Sequence, residues 1–236
     1  MTALEVRDAT VRFGGRHALE DVSVRAESGT ITGLIGPNGA GKTTLFNVIC
    51  GLLPPEGGAV FLDGTDVTRL APFKRARQGL ARTFQRLEPF GLLTVRENVR
   101  LAADIARRSD PDEVADGLLE RLGVADLAAI RADRLPTGQA RRVELARALA
   151  TDPKVLLLDE PASGQDEVET DAFAAVLRDV AADGVAVVLV EHDVPLVMAV
   201  CSRVYVLDLG QVLAAGTPAE VQRDDAVLAA YLGQVS

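Results

Sequence analysis

The stretch GPNGAGKTT, at positions 36–44, constrains the fold of this chain more than any other feature. It fits the pattern G-x-x-x-x-G-K-[ST], which cradles phosphate when it follows a strand and begins a helix. Both neighbours are predicted here, as a buried apolar strand over 31–36 and a helix over 44–50 that stops at Gly51. The alternative is a glycine-rich turn with an incidental lysine, which this strand and helix disfavour. We therefore expect an α/β fold that binds a nucleotide.

The predicted phosphate cradle has a simple physical basis. Its glycines let the backbone bend so that successive N–H groups point at phosphate oxygens, and the positive end of the following helix adds to the attraction. We expect Lys42 to reach the β- and γ-phosphates and the Thr43 hydroxyl to bind Mg²⁺. The predicted nucleotide-binding residues are Gly36, Pro37, Asn38, Gly39, Ala40, Gly41, Lys42, Thr43 and Thr44.

Two later apolar runs, VLLLDE and VAVVLVEH, end in ionisable residues and are predicted to be neighbouring buried strands. Asp159, at the end of the first, is assigned to Mg²⁺, and Glu160 is expected to polarise an attacking water. His192, after the second, is expected to contact the γ-phosphate and orient that water. The alternatives are a pair of helix-capping carboxylates and a structural histidine.

Composition favours a sheet covered by helices. Hydrophobic residues make up 48% of the chain and aromatic residues only 4%, so the core must consist largely of Val, Leu, Ile and Ala, as in buried parallel sheets. The net charge of −9 argues against a nucleic-acid-binding protein. No apolar run approaches the ~20 residues that cross a bilayer, and the N-terminus lacks the apolar segment of a signal peptide. We expect a cytoplasmic protein in which Cys50 and Cys201 are buried free thiols.

Arginines are nevertheless clustered in two segments. They indicate either solvated helix faces or a surface that contacts a partner or phosphate, and the sequence leaves both possibilities open. The clustered residues are Arg75, Arg77, Arg82 and Arg86, and then Arg131, Arg134, Arg141, Arg142 and Arg147.

The pattern along the chain predicts one domain with an inserted helical part. Alternating strands are expected over 6–13 and 19–26, around the turn GGRH, and a hairpin over 203–216 that turns at Leu209 and Gly210. Apolar residues recur at helical spacing between 94 and 132, so we assign 92–135 to an inserted helical lobe and 1–91 with 136–236 to the α/β core. A helical tail is expected after Thr217, which precedes a proline at the first helical position.

The order of these motifs resembles the ATP-binding cassette (ABC) ATPases of ABC transporters over essentially the whole chain. The match consists of VRFGG, GPNGAGKTT, ARTFQ, a signature-loop region before ARAL, VLLLDEP, a short loop that ends in Asp, and EHD. The resemblance implies a P-loop NTPase core, an N-terminal antiparallel β subdomain and an inserted helical subdomain. It also implies ATP hydrolysis with Mg²⁺.

The resemblance assigns further site residues. Phe13 would stack on adenine, although it could equally be a core strand residue. Gln85 would sense Mg²⁺ and the attacking water and connect the cradle to the helical lobe. Asp166 would end a loop, SGQD, that runs across the seam between two cassettes.

The segment LPTGQ, at 135–139, stands where the family usually has LSGGQ, which contacts the γ-phosphate held by the other protomer. Pro136 replaces the serine, and its loss of a hydroxyl and an N–H donor leaves two interpretations. In the first, Thr137 caps the helix and turns its hydroxyl to the phosphate, while Gly138 and Gln139 keep their N–H groups. In the second, the site is weakened and the cassette hydrolyses slowly or depends on a partner with an intact loop.

The implied partners are a second cassette, identical or related, and transmembrane permease subunits that contact the helical lobe. The protein would then lie on the inner face of the cell membrane. The segment ARTFQRLEPFGLLTVRENV is similar to subunits that energise branched-chain amino acid importers, while the C-terminal tail also resembles the ATPase of lipopolysaccharide export. The weighed alternatives are a cytosolic ABC protein that acts on ribosomes or DNA, and a nucleotide sensor that does not hydrolyse ATP.

Overall fold

A computed structural model describes residues 1–84 and 89–232 of the chain. Within these residues the chain forms ten strands, nine α-helices and two short 3₁₀-helices. The strands are β1 Thr2–Phe13, β2 Arg16–Glu27, β3 Ile31–Ile35, β4 Gly57–Leu62, β5 Thr65–Asp66, β6 Leu80–Arg82, β7 Val155–Asp159, β8 Ala186–Val190, β9 Arg203–Asp208 and β10 Gln211–Gly216. The helices are α1 Lys42–Cys50, α2 Pro72–Ala76, α3 Val95–Ile105, α4 Pro111–Arg121, α5 Thr137–Leu149, α6 Glu167–Ala182, α7 Val194–Val200, α8 Pro218–Val221 and α9 Asp225–Leu232.

The strands form two sheets. One is six-stranded, in the order β10-β9-β3-β8-β7-β6, and it is parallel except for β10, which forms the expected hairpin with β9. The other is antiparallel, in the order β2-β1-β4-β5. This architecture confirms the α/β fold class and the N-terminal antiparallel sheet. The predicted neighbours β7 and β8 are paired in parallel, with Asp159 opposite Val190.

The six-stranded sheet separates two hydrophobic cores. Every residue of β3, β7 and β8 is buried, because both faces of these strands are covered. On one face, Leu156 and Leu158 pack with the helices α3 to α6. On the other face, Val155 and Leu157 pack with α1 and the antiparallel sheet. The carboxyl ends of the parallel strands are thereby fixed along one edge, where the site lies.

The first two helices after β6, α3 and α4, each begin at a side-chain cap. Thr94 and Glu97 form a capping box at the start of α3, and Asp110 caps α4 by accepting from two backbone amides. The helical tail differs from the prediction because it is two helices. The carboxylate of Asp224 accepts from the amides of Ala226 and Val227, so a new helix begins there after α8 has ended.

Four elements were not anticipated from the sequence, namely β5, β6, α2 and α7, and each has seven residues or fewer. Such short elements carry too little periodicity to be recognised. None of the helices in 1–84 and 89–232 has the length and apolarity required to span a membrane.

Candidate nucleotide-binding and hydrolysis site

The loop between β3 and α1 can be built only with glycines at critical positions. A Cβ atom at Gly36 would lie 2.1 Å from the carbonyl oxygen of Leu207, and one at Gly41 would lie 2.7 Å from that of Ala18. Gly41 also has a φ of 108° and ends the loop as the N-cap of α1, with no side-chain hydrogen bond to the first turn. The amides of that turn are therefore available to an anion.

Lys42 is the cation of this loop. Its Nζ donates to the carbonyl oxygens of Gly36 at 2.6 Å and Pro37 at 3.0 Å, and the residue is only 7% exposed. Burial lowers the pKa of Lys42, while the nearby carboxylates of Glu160 and Asp159 oppose that shift. A buried ammonium ion held by carbonyl groups is a favourable site for a negatively charged ligand.

A cleft of about 240 Å³ brings most of the predicted phosphate cradle together with Glu160 and His192. It is lined by Ala18, Asn38, Gly39, Ala40, Gly41, Lys42, Thr43, Thr44, Glu160 and His192. A larger groove of about 660 Å³ lies at the opposite edge of the sheet, next to the residues that precede β7 and β8. Its charges form ion pairs, such as Arg121 with Asp183 and Lys154 with Asp63, so we assign the chemistry to the smaller cleft.

Glu160 and His192 form a direct contact at the edge of the sheet. Glu160 follows β7, and its amide donates to Val190 at 2.8 Å, which extends the ladder by one residue. Its φ of 50° then turns the chain, and its Oε1 lies 2.7 Å from Nε2 of His192. The adjacency of β7 and β8 is what places the carboxylate beside the imidazole.

Asp159 lies one residue earlier and is buried in an ion pair that the sequence did not reveal. Its Oδ2 accepts from Arg82 at 2.9 Å, and both side chains are 6% exposed. Arg82 also donates to Asn47 of α1 at 2.8 Å and lies over the rings of Phe46 and Phe84. This arginine therefore joins β6, β7 and α1 just behind the cleft.

Two predicted residues need separate comment. Phe13, at the end of β1, is 58% exposed, in the same hairpin as Ala18, so it is a surface residue of the hairpin rather than part of the core. Gln85 lies outside the described residues.

The residues of LPTGQ and Asp166 form a second group apart from the cleft. A Cβ at Gly164 would lie 3.8 Å from Cγ2 of Thr137, and one at Gly138 would lie 3.0 Å from a carboxylate oxygen of Glu169. Asp166 caps α6 in a capping box with Glu169. Among the described residues that line the cleft, none comes from this group.

The prediction that Thr137 caps its helix is wrong. The N-cap of α5 is Pro136, which has no side-chain acceptor for the first-turn amides, and Thr137 is the first helical residue. The reason is the extended conformation of the proline, with φ of −56° and ψ of 154°, after which the helix starts at Thr137, one residue earlier than predicted.

Sequence reasoning missed Ala18 and Glu191, and it placed Arg82 among surface arginines although that side chain is buried in an ion pair. Ala18 carries no chemical signal. Arg82 ends a short apolar strand, and Glu191 is an acidic residue at the end of a buried run, as Asp159 is. These last two signals could have identified both residues as buried charges, because a charge within or at the end of a buried strand needs a partner.

Comparison with known proteins identifies the family. A family model described as "ABC transporter" matches residues 19–163, which is more than half of the chain. The chain belongs to the ABC transporter family. A second model, described as "Branched-chain amino acid ATP-binding cassette transporter", matches residues 211–235 of this ABC protein.

Relatives of this ABC protein match it along nearly all of their length. The high-affinity branched-chain amino acid transport ATP-binding protein BraF of Pseudomonas aeruginosa is 38% identical, with 98% of each chain covered. The lipopolysaccharide export system ATP-binding protein LptB of Escherichia coli is 35% identical, with 99% of this chain and 98% of LptB covered.

Solved structures agree with this assignment. The ADP conformation of MJ1267, an ATP-binding cassette of an ABC transporter, has a TM-score of 0.89 and 31% identity, with 99% of both chains covered. A dimeric post-hydrolysis state of the cassette MJ0796, bound to ADP and Pi, has a TM-score of 0.82 and 26% identity, with 91% of this chain and 98% of the other covered. The expected family and ATPase activity are confirmed: the chain is an ATP-binding and ATP-hydrolysing subunit of an ABC transporter.

Proposed function

We propose that this ATPase energises the uptake of branched-chain amino acids. The observation that carries the proposal is the match of residues 211–235 to the branched-chain amino acid family model. It agrees with the full-length similarity to BraF and to LivG of Salmonella typhimurium, which is also 38% identical. The second candidate is lipopolysaccharide export, which the 35% identity to LptB supports.

The residues of the cleft suit the hydrolysis of a nucleoside triphosphate. The first-turn amides of α1 and the ammonium group of Lys42 provide positive charge for the phosphates. The Glu160 carboxylate is the base that takes a proton from the attacking water, and Nε2 of His192, at 2.7 Å, holds that carboxylate in position and faces the same cleft. Phe13, exposed at the hairpin, is proposed to stack on the base of the nucleotide.

Mg²⁺ is proposed to bind at Thr43 and Asp159, with Gln85 retained as a predicted third contact. A hydroxyl group and a carboxylate are oxygen ligands of the kind that Mg²⁺ prefers, together with phosphate and water. Asp159 has one oxygen on Arg82, and a carboxylate has a second oxygen that can accept elsewhere. When bound, Mg²⁺ neutralises charge on the β- and γ-phosphates.

The second group of residues is proposed to act on the nucleotide of a partner cassette. Thr137, Gly138 and Gln139 stand at the N-terminal end of α5, where backbone amides favour an anion. They lie apart from the cleft of their own chain, so a second copy or a related cassette would bring them to a phosphate. Asp166 belongs to the same surface, and ATP held between two cassettes would make hydrolysis depend on dimerisation.

Permease subunits are proposed to contact the helical lobe, residues 92–135, which we separate from the core of 1–91 and 136–236. A hollow of about 510 Å³ lies where the lobe meets the core, between α3 of the lobe and β6 and α5 of the core. Phe84, Phe90 and Ile105 line it with exposed apolar surface. Because ABC transporters combine cassettes with transmembrane subunits, we assign this hollow to a permease segment and the ATPase to the inner face of the membrane.

The proposal is tested by uptake in the organism that encodes the chain. Cells without the gene are expected to lose uptake of radiolabelled leucine, isoleucine and valine. Wild-type protein should restore it, whereas Glu160→Gln should reduce the restored rate by about a hundredfold or more. Lys154→Met, in an exposed ion pair with Asp63 at the opposite edge of the sheet, serves as the control and should restore wild-type uptake. Normal amino acid uptake with a defect in lipopolysaccharide export would favour the second candidate.

A further inference from the structure

A buried carboxylate that the proposed hydrolysis chemistry does not use lies beside the cleft. Glu191 follows β8 directly and is 4% exposed. One of its oxygens, Oε1, accepts from the amide of Ala162 at 2.7 Å, and the other, Oε2, accepts from the amide of His192 at 3.1 Å. Glu191 therefore joins the loop after β7 to the loop after β8.

The contacts of Glu160 and Glu191 are reciprocal. Both residues follow paired parallel strands, in which Asp159 lies opposite Val190. Glu160, in the loop after β7, reaches His192 in the loop after β8. Glu191, in the loop after β8, reaches Ala162 in the loop after β7. The two loops are thus crosslinked twice, once in the cleft and once in the buried layer beneath it.

The buried crosslink holds Ala162 firmly. Burial raises the pKa of Glu191, while backbone hydrogen bonds from Ala162, His192 and Asp193 oppose the rise and Glu160 adds to it. A buried carboxylate is costly unless its oxygens accept hydrogen bonds. The loop conformation that points these backbone amides at Glu191 is therefore strongly favoured over conformations that do not. Ala162 itself packs in a small apolar cluster with Ala174 and Leu196.

The loop that Glu191 holds continues to the second group of site residues. The backbone N–H of Gln165 donates to the carbonyl oxygen of Ala162 at 3.1 Å, and the next residue, Asp166, caps α6. Gly164 lies between Ala162 and Asp166 and borders Thr137, because a Cβ added to Gly164 would lie 3.8 Å from Cγ2 of Thr137. A continuous set of contacts therefore runs from LPTGQ through Gly164, Ala162 and Glu191 to His192.

We propose that Glu191 is a positioning residue that makes the loop 160–166 and His192 move as one unit. It couples the surface next to LPTGQ, which faces a partner cassette, to the Glu160–His192 pair that hydrolyses ATP in the same chain. This inference rests on the proposed function, because it needs LPTGQ to lie at the seam between two cassettes.

The test compares two isosteric substitutions in the purified full-length chain. In Glu191→Gln, only one terminal atom accepts a hydrogen bond, so either Ala162 or His192 loses its acceptor. We expect kcat for ATP to fall by about tenfold or more with KM within about twofold, because positioning is lost while the cradle is intact. Glu5→Gln, at a glutamate that is 9% exposed and lies in β1, is the matched control and should keep kcat within about twofold.

Hydrogen exchange supplies a readout other than activity. In the wild type, the non-hydrolysable analogue AMP-PNP is expected to slow amide exchange in three segments: 38–44, 161–166 and 191–193. In Glu191→Gln the slowing at 38–44 should remain, while that at 161–166 should be largely lost. If this variant does not fold, Glu191→Asp keeps the charge but is one methylene shorter, and it should lose the contact with Ala162 in the same way.

The outcomes separate this inference from the function on which it rests. A variant with wild-type kcat, or with all three segments still slowed by AMP-PNP, would overturn the role of Glu191. A loss of kcat equal to that of Glu5→Gln would show a structural effect only and would also overturn it. A wild-type chain that remains monomeric with AMP-PNP in the presence of its assembly partners would instead contradict the proposed dimer.

Discussion

At the scale of single residues, the buried pair of Arg82 and Asp159 should contribute more to stability than other ion pairs. Both side chains are 6% exposed, and Arg82→Met would leave the carboxylate buried without its cation. Because loss of one partner from a buried pair is strongly destabilising, we expect the free energy of unfolding to fall by about 3 kcal/mol. Urea denaturation followed by circular dichroism measures this change.

The control for Arg82 is Arg100→Met, which removes the same side chain from an exposed ion pair with Asp112. Solvent and salt screen such a pair, so its loss should hardly move the urea midpoint. Equal midpoints for the two variants would mean that Arg82 contributes no more than a surface charge.

The phosphate cradle and the arginines show where sequence reasoning succeeded and where it could not. The cradle was predictable residue by residue, because its pattern dictates a local backbone shape. Arg75, in contrast, was assigned with other arginines to solvated or docking surfaces, yet it is 1% exposed and donates to the last carbonyls of α1, those of Val48 and Ile49. Partners this far apart in sequence are set by tertiary packing, which no local pattern encodes.

At the scale of elements, the N-terminal end of α5 depends on Pro136. This residue fixes φ without offering a side-chain oxygen to the first-turn amides. Pro136→Ser adds a capping oxygen, and Pro136→Ala adds none, while both variants lose the restraint of proline on the unfolded chain. We therefore expect the Ser variant to be more stable than the Ala variant by about 1 kcal/mol.

The comparison of the two variants isolates capping, because the entropic effect of proline removal, about 0.4–1 kcal/mol, is common to both. Thermal unfolding of the purified chains provides the measurement. Identical melting temperatures would mean that the first-turn amides of α5 are satisfied without a cap. The helix itself was predictable from its pattern. Its starting residue was not, because the sequence alone left open whether Pro136 or Thr137 would be the N-cap, and the structure makes it Pro136.

At the scale of the whole molecule, the six-stranded sheet lies between two hydrophobic cores. Successive side chains along each of its buried strands point alternately into one core and the other. Residues of β8 show this directly, since Val187 and Leu189 face the helical side and Val188 and Val190 face the side of α1. Because each strand contributes side chains to both cores, one core cannot unfold while the other stays folded. The molecule should accordingly unfold in one cooperative step, although it combines an α/β core with a separate antiparallel sheet.

The two cysteines allow this cooperativity to be measured, because Cys201 lies in the helical-side core and Cys50 in the opposite one. Both are buried free thiols, as expected from the sequence, and burial raises the pKa of Cys201 to about 12 and that of Cys50 as well. Thiolates are the reactive form, so neither should react with Ellman's reagent in the native protein at neutral pH. The variants Cys50→Ala and Cys201→Ala each retain one thiol. In increasing urea, the remaining thiol of each variant should become reactive at the same urea concentration at which circular dichroism shows that variant unfolding. The two midpoints should therefore differ only by the effect of each substitution on stability. A thiol that reacts well before its own variant loses secondary structure would show that one face of the sheet opens independently.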